Sequence, residues 1–306
     1  MIEVTNLRRS YGEFIAVDDV SFSIGPGEIV GLLGHNGAGK TTIMKMLTGF
    51  LQPSSGHVSV AGVDVAHDPL TVQAQIGYLP ENSPLYPELT VLDYLAHAAE
   101  LRGCDPARSV PRAIAATQLE AKAGDVIGTL SRGYKQRVGV AQAILHQPKV
   151  LILDEPSNGL DPTQIQHMRA LIKSLAATTT IILSTHILQE VSAVCERVVI
   201  LRSGRLVLDG QLAQLQSGDQ LRLRTAPDTD ATTLQQALAH IEGLDVAPAG
   251  NDAWRLSYAG GLDAVAPEIV QRLVTAGIGV IELAQSGQDL ESVFAQLSEQ
   301  EVTDAA

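Results

Sequence analysis

The chain has 306 residues, 45% of them apolar and 18% charged, and a formal net charge of −13. That length predicts about two domains with ample apolar material for packed cores. No apolar run approaches the ~18 residues of a membrane span, and the opening "MIEVTNLRRSYGEF" lacks the apolar centre of a secretory signal, so the reading is a cytoplasmic chain, or one held at a membrane only through a partner.

Taken in order, strand-like runs occupy residues 2–6 and 20–24. Gly25-Pro26-Gly27 breaks the chain before a continuous apolar strand over 28–33, which runs into a glycine loop and a helix. "HVSVAGVDV" alternates and predicts paired strands. Residues 68–130 read as mostly helical, interrupted by the proline-rich "YLPENSPLYPELT", which predicts a loop. "LSRGYKQR" at 130–137 predicts a helix start, with Ser131 as N-cap, Val138, Ala141, Ile144 and Leu145 on the apolar face, and Pro148 as the stop. "KVLILDEP" and "TTTIILSTH" are buried strands, and "RVVILRSGRLVLDG" is a hairpin across Ser203-Gly204. Apolar strands alternating with helices predict a largely parallel sheet covered on both faces, with an added antiparallel layer.

Composition shifts near Ser217-Gly218. Beyond it the pattern predicts strands at 220–225, around Val246, at 253–258 and at 280–283. Helices are predicted at 231–241 and 263–276, the latter ended by Gly277. This βαββαβ order is that of a ferredoxin-like unit. A last helix would set Leu290, Val293, Phe294 and Leu297 on one face, ahead of a frayed tail at 301–306. Trp254 and Tyr258, at alternate strand positions, read as core. Residues 219–306 hold four Arg, no Lys and fourteen Asp or Glu, a net −10, whereas residues 1–218 carry −3. Such a segment repels nucleic acid and anionic lipid. Cys104 and Cys195 match neither a metal spacing nor a redox CxxC pair, and read as free thiols.

"GHNGAGKTT", Gly34 to Thr42, matches the phosphate-loop pattern G-x-x-x-x-G-K-[ST] between a predicted strand and a predicted helix. Its glycines let backbone N–H groups wrap phosphates, Lys40 reaches the β- and γ-phosphates, and the Thr41 hydroxyl suits Mg²⁺. Asp154 ends the "VLILDEP" strand, where a buried carboxylate needs a metal or a donor. Glu155 follows it and can polarise an attacking water.

With these residues in place, the first ~215 positions resemble an ABC-type ATP-binding cassette. Tyr11, "GHNGAGKTT", "GYLPE", "LSRGY", "LILDEP", "SNGLD" and "STH" fall in that family's order. The resemblance implies a P-loop α/β cassette over 1–218. It would comprise a RecA-like core, an antiparallel β layer and a helical subdomain at about 82–147, followed by an accessory α+β domain at 219–300. It implies ATP and Mg²⁺ as cofactors and ATP hydrolysis as the reaction. Tyr11 would stack on adenine. Gly34, Asn36, Gly37, Ala38, Gly39, Lys40, Thr41 and Thr42 would hold the phosphates, and Thr41, Asp154 and Glu81 the metal. Glu155, His186 and Lys40 would act in hydrolysis, with His186 touching the γ-phosphate.

Ser131 and Gly133 would meet the phosphates held by a second copy of the chain, and Asp161 would communicate across that dimer. The sequence departs from the family at Glu81, where glutamine is usual, and at Arg132 and Tyr134 within "LSRGY". The stretch around "YLPENSPLYPELT" is similar to cassettes serving ABC-2-type exporters, especially the gliding-motility-associated group. The implied partners are a second cassette, identical or related, and an integral membrane permease. The permease would contact the loop from Glu81 to about Tyr94 through Leu85, Tyr86 and Leu89, placing the chain on the inner face of the cell membrane. The alternative, a soluble ABC ATPase acting on nucleic acid or ribosomes, is disfavoured. Only 114 positions separate Lys40 from Asp154, zinc cysteines are lacking, and there is one cassette and an acidic balance.

Overall fold

β1 (Ile2–Tyr11) and β2 (Phe14–Ile24) pair antiparallel through a turn at Gly12-Glu13, and β3 (Ile29–Leu33) feeds the glycine loop and α1 (Lys40–Leu47). β4 (Ser55–Val60), β5 (Val63–Asp64), α2 (Pro69–Gln73) and β6 (Ile76–Leu79) follow. α3 (Val91–Leu101), α4 (Pro106–Thr117) and α5 (Arg132–Ile144) come next. β7 (Val150–Asp154), α6 (Pro162–Ala176), β8 (Thr180–Thr185), α7 (Leu188–Val194), β9 (Arg197–Arg202), β10 (Arg205–Gln211) and α8 (Leu212–Gln216) complete the first part. This computed structural model describes residues 1–216, 220–227, 229–250, 252–258 and 262–285. The chain divides into two units, one of Met1–Leu212 and one from Ala213 onward.

In the first unit a six-stranded sheet runs β10-β9-β3-β8-β7-β6, parallel except for the β10–β9 hairpin. Every residue of β3, β7 and β8 is buried, as continuous apolar strands covered on both faces require. A second sheet, β2-β1-β4-β5, is antiparallel. Its alternating inward side chains, Ile2, Val4, Val20 and Phe22 among them, share one core with Ile43, Met44 and Leu47 of α1. Helices α3 to α5 have a core of their own around Leu95, Ile114, Val138 and Leu145. Three helices begin with Asp-Pro. Asp68, Asp105 and Asp161 each accept a backbone N–H at the helix start, and the proline follows at the first turn. Each such cap is worth about 1 kcal/mol.

Several expectations need correction. β1 and β2 extend well past residues 6 and back to 14, because each finds a partner strand along its length. Tyr78 and Leu79, expected in a loop, belong to β6, which pairs with β7 and gives way to loop only at Pro80. Leu85 and Leu89 are half-buried against the helical core, so of the three residues expected to be exposed only Tyr86 is. Ser131 sits at the N-cap of α5 but makes no capping hydrogen bond.

In the second unit, β11 (Gln220–Thr225), α9 (Ala231–Leu238), β12 (Leu244–Pro248), β13 (Ala253–Tyr258), α10 (Leu262–Thr275) and β14 (Val280–Gln285) form an antiparallel sheet in the order β12-β13-β11-β14. Leu223, Leu234, Leu238, Leu256, Ile269 and Leu273 fill its core, with Trp254 buried and Tyr258 half-buried against it. α9 is shorter than expected, ending at Leu238. The junction at 217–218, the helix proposed to carry Leu290, Val293, Phe294 and Leu297, and the tail at 301–306 lie outside the described residues. Among the described residues no helix is long and apolar enough to cross a membrane.

Candidate active site

β3 ends at the glycine loop, and the loop turns through left-handed glycines, Gly37 at φ 86° and Gly39 at φ 104°. Gly39 also lies against the Ala16 carbonyl, and a Cβ there would come within 2.7 Å of that oxygen, so both the backbone angle and the space demand glycine. α1 starts at Lys40, whose Nζ turns back to donate to the Gly34 carbonyl at 2.6 Å and the His35 carbonyl at 3.4 Å. Lys40 is buried. Desolvation lowers its pKa, opposed by the carboxylates of Glu155, Asp154 and Glu81. Asn36, Gly37, Gly39, Lys40, Thr41 and Thr42 line a cavity of about 330 Å³. Gly34 and Ala38 do not line it. Gly34 supplies the carbonyl to Lys40, and Ala38 is packed into the core.

The opposite wall comes from the ends of β7 and β8. Asp154 is buried, and desolvation, with the charges of Glu155 and Glu81 added, pushes its carboxyl up to about 6. Glu155 adopts a left-handed backbone, φ 49°, which costs a non-glycine residue about 1–2 kcal/mol. Its N–H donates to the Ser184 carbonyl at 2.9 Å, and its Oε1 lies 2.9 Å from Nδ1 of His186, which follows β8. An ionised carboxylate only accepts, so the bonding proton sits on the imidazole. Glu81 is exposed, and its Oε1 accepts from Asn158 Nδ2 at 3.3 Å. Glu81, Asp154, Glu155, Asn158 and His186 all line the same cavity as Lys40.

Thr41, Asp154 and Glu81 offer hard oxygen donors to one space, as Mg²⁺ prefers. Among the described residues no three His, Cys, Asp or Glu side chains could hold a metal alone. That fits Mg²⁺, which keeps waters and shares its shell with phosphate oxygens.

The cavity mouth is aromatic. Tyr11 and Phe14 close the β1–β2 hairpin as a cross-strand pair, both exposed and both lining the cavity. The Arg9 guanidinium lies 4.6 Å from the Tyr11 ring centroid, a cation–π contact.

Ser131, Gly133 and Asp161 lie elsewhere. They line a second cavity of about 260 Å³ with Tyr134, Gln164 and His167, and it shares no lining residue with the first. Asp161 spends one oxygen on the α6 N-terminus, accepting from Gln164 N–H at 2.9 Å. A side chain at Gly133 would meet Gln164 at 2.8 Å. Arg132 packs over Gly159, whose φ of 71° would strain any side chain there.

The residues picked out from the sequence therefore form two groups. Those not foreseen include Phe14, Ala16, His35 and Asn158 in the first cavity and Gln164 and His167 in the second. Phe14 follows from hairpin register once β1 is extended to Tyr11, and Asn158 stands within "SNGLD".

A family model described as ABC transporter matches residues 17–158. The chain is 32% identical over 303 residues to the bacitracin transport ATP-binding protein BcrA of Bacillus licheniformis, covering 97% of each. It is 37% identical over 214 residues to the Nod factor export ATP-binding protein I of Paraburkholderia xenovorans (strain LB400), covering 68% of this chain and 70% of that one. A solved structure described as the ATP binding subunit of an ABC transporter matches with a TM-score of 0.63 at 30% identity, over 88% of this chain and 99% of that one.

Proposed function

The chain belongs to the ABC transporter family as an ATP-binding, ATP-hydrolysing subunit, and from that premise we propose that its two cavities are half-sites that join only when two cassettes meet. The observation that carries this reading is the separation of Ser131 and Gly133 from Lys40 into different cavities. Ser131 adds a hydroxyl that its own helix does not use. A nucleotide held by Lys40, Thr41 and Thr42 of one copy would be closed over by Ser131 and Gly133 of the other, with Asp161 beside the seam.

ATP with Mg²⁺ supplies the phosphoanhydride and the charge that offsets it. The chain's own residues do the rest. Tyr11 and Phe14 receive the base, and backbone N–H groups of 36–41 together with Lys40 receive the phosphates. Thr41, Asp154 and Glu81 provide the oxygens for the metal. Glu155 accepts a proton from the attacking water, and His186, bonded to Glu155, orients that carboxylate. Positioning and charge neutralisation carry most of the rate in such chemistry. Glu81 keeps an oxygen where the family usually has an amide, and its bond to Asn158 ties it to the loop after Glu155.

The work is transport, and we read the direction as export. The Nod factor relative, an export ATP-binding protein, supports that direction, as does the likeness of residues 76–95 to exporter cassettes. The partner is an integral membrane permease, which puts the chain on the cytoplasmic face of the membrane. A cavity of about 770 Å³ between α1 and the helical subdomain, lined by Tyr78 and by the exposed Phe50, Asn82 and Leu101, supports a docking site there. The second unit we read as a ferredoxin-like accessory domain, on its βαββαβ order and four-stranded antiparallel sheet. The acidic balance of the chain and its relatives favour transport over a nucleic-acid role.

The test is the ATP-dependent mass of Glu155→Gln. A nucleotide-driven dimer supports the half-site reading, and a monomer at saturating ATP overturns it.

A further inference from the structure

Glu190, on α7, is a carboxylate that the hydrolytic residues do not account for. It is 3% exposed, and a buried carboxylate is costly unless bonded. Its Oε2 accepts from Thr185 Oγ1 at 3.3 Å, and the same Thr185 oxygen accepts the Ile187 N–H at 3.1 Å. Thr185 and Ile187 flank His186, so the turn that presents the imidazole is fastened on both sides through one hydroxyl to Glu190. From the other loop, the buried Ser157, two residues after Glu155, also acts on the Glu190 carboxylate. The remaining charged neighbours are Arg169 from α6, which favours the ionised form, and Glu155, which opposes it. Cys195, on the far side of α7, feels the same carboxylate.

β7 and β8 run side by side, with Asp154 in register with Ser184. Beyond that point the two loops diverge. The fork is bridged on the cavity side by Glu155 and His186 at 2.9 Å, and on the buried side Glu190 holds the β8 branch through Thr185, with its Oε1 buried and unbonded. We infer that Glu190 is a positioning residue for hydrolysis, setting the Glu155–His186 pair by fixing the turn that carries His186. Glu190 is not among the residues that line the Lys40 cavity.

This inference rests on the hydrolytic roles given to Glu155 and His186. Two measurements separate it from that reading. In turnover, Glu190→Ala should lower kcat about 10- to 100-fold, the scale of a misplaced catalytic group, while KM for ATP stays within about twofold. Glu190→Gln keeps an oxygen that can accept from Thr185 and should restore most of kcat. In the nucleotide-free protein, the His186 ring signals observed by NMR should shift or broaden in Glu190→Ala and stay near the wild type in Glu190→Gln, whatever the turnover rate. Unchanged His186 signals in Glu190→Ala, or a Glu190→Gln as impaired as Glu190→Ala, would overturn the positioning role.

Discussion

Glu155 and His186 meet at 2.9 Å across the ends of two adjacent parallel strands, although 31 positions separate them in the chain. Glu155 reaches that contact from a left-handed backbone, with its N–H donating to the Ser184 carbonyl and its carboxylate bonded to the imidazole. The pair lines the same cavity as Lys40.

Glu155→Gln removes the proposed proton acceptor and leaves the shape. Steady-state ATPase should fall on the order of 10²-fold or more, while binding of ATP measured by titration calorimetry changes little. His186→Ala should lower the rate as well, and by less, because the carboxylate remains. A Glu155→Gln variant that hydrolyses at the wild-type rate would remove Glu155 from the chemistry.

Asp154 links the site to stability through pH. Its carboxyl is raised to about 6 from an ordinary value of 3.8, so between those values the folded protein holds a proton that the unfolded chain has released. Stability of the nucleotide-free protein should therefore decline as pH rises from about 4 to 6, by up to roughly 3 kcal/mol from this group, and level off above. Asp154→Asn removes the buried charge and should raise the nucleotide-free Tm at pH 7.5, while abolishing the extra stabilisation given by ATP with Mg²⁺. A lower nucleotide-free Tm in Asp154→Asn would contradict this.

Tyr86 and Leu89 now separate two effects. Tyr86 is exposed, edge-on to Tyr94 with ring centroids 5.8 Å apart. Tyr86→Asp should leave the thermal melt and ATP binding near wild type while reducing co-purification with the permease. Leu89→Asp, by contrast, places a charge against the helical core and should lower Tm by several degrees. Equal loss of Tm in both variants would remove the case for Tyr86 as a docking residue.

Much of this was legible in the sequence because local chemistry wrote it there. The glycine loop after an all-apolar strand and the Ser203-Gly204 hairpin each carry their own physical cause. The elements that were missed depend on distant partners. β6 has four residues before Pro80, and it is a strand only because β7 lies beside it. Leu85 and Leu89 look like loop residues until three helices gather beneath them. The left-handed backbone of Glu155 leaves no mark on a glutamate in the sequence. Phe14 joins Tyr11 only through hairpin register. The idle hydroxyl of Ser131 was the reverse case: its position predicted a cap, and the structure leaves it available to the second cavity.

We propose that one nucleotide is held by two copies of the chain. The most direct test is the molar mass of Glu155→Gln in solution, by light scattering, with and without ATP and Mg²⁺. Without nucleotide the mass should be that of the 32.4 kDa chain. With ATP it should double, and adding Ser131→Arg should return it to the monomer. A Glu155→Gln protein that stays monomeric at saturating ATP, or a double variant that still dimerises on ATP, would contradict the account.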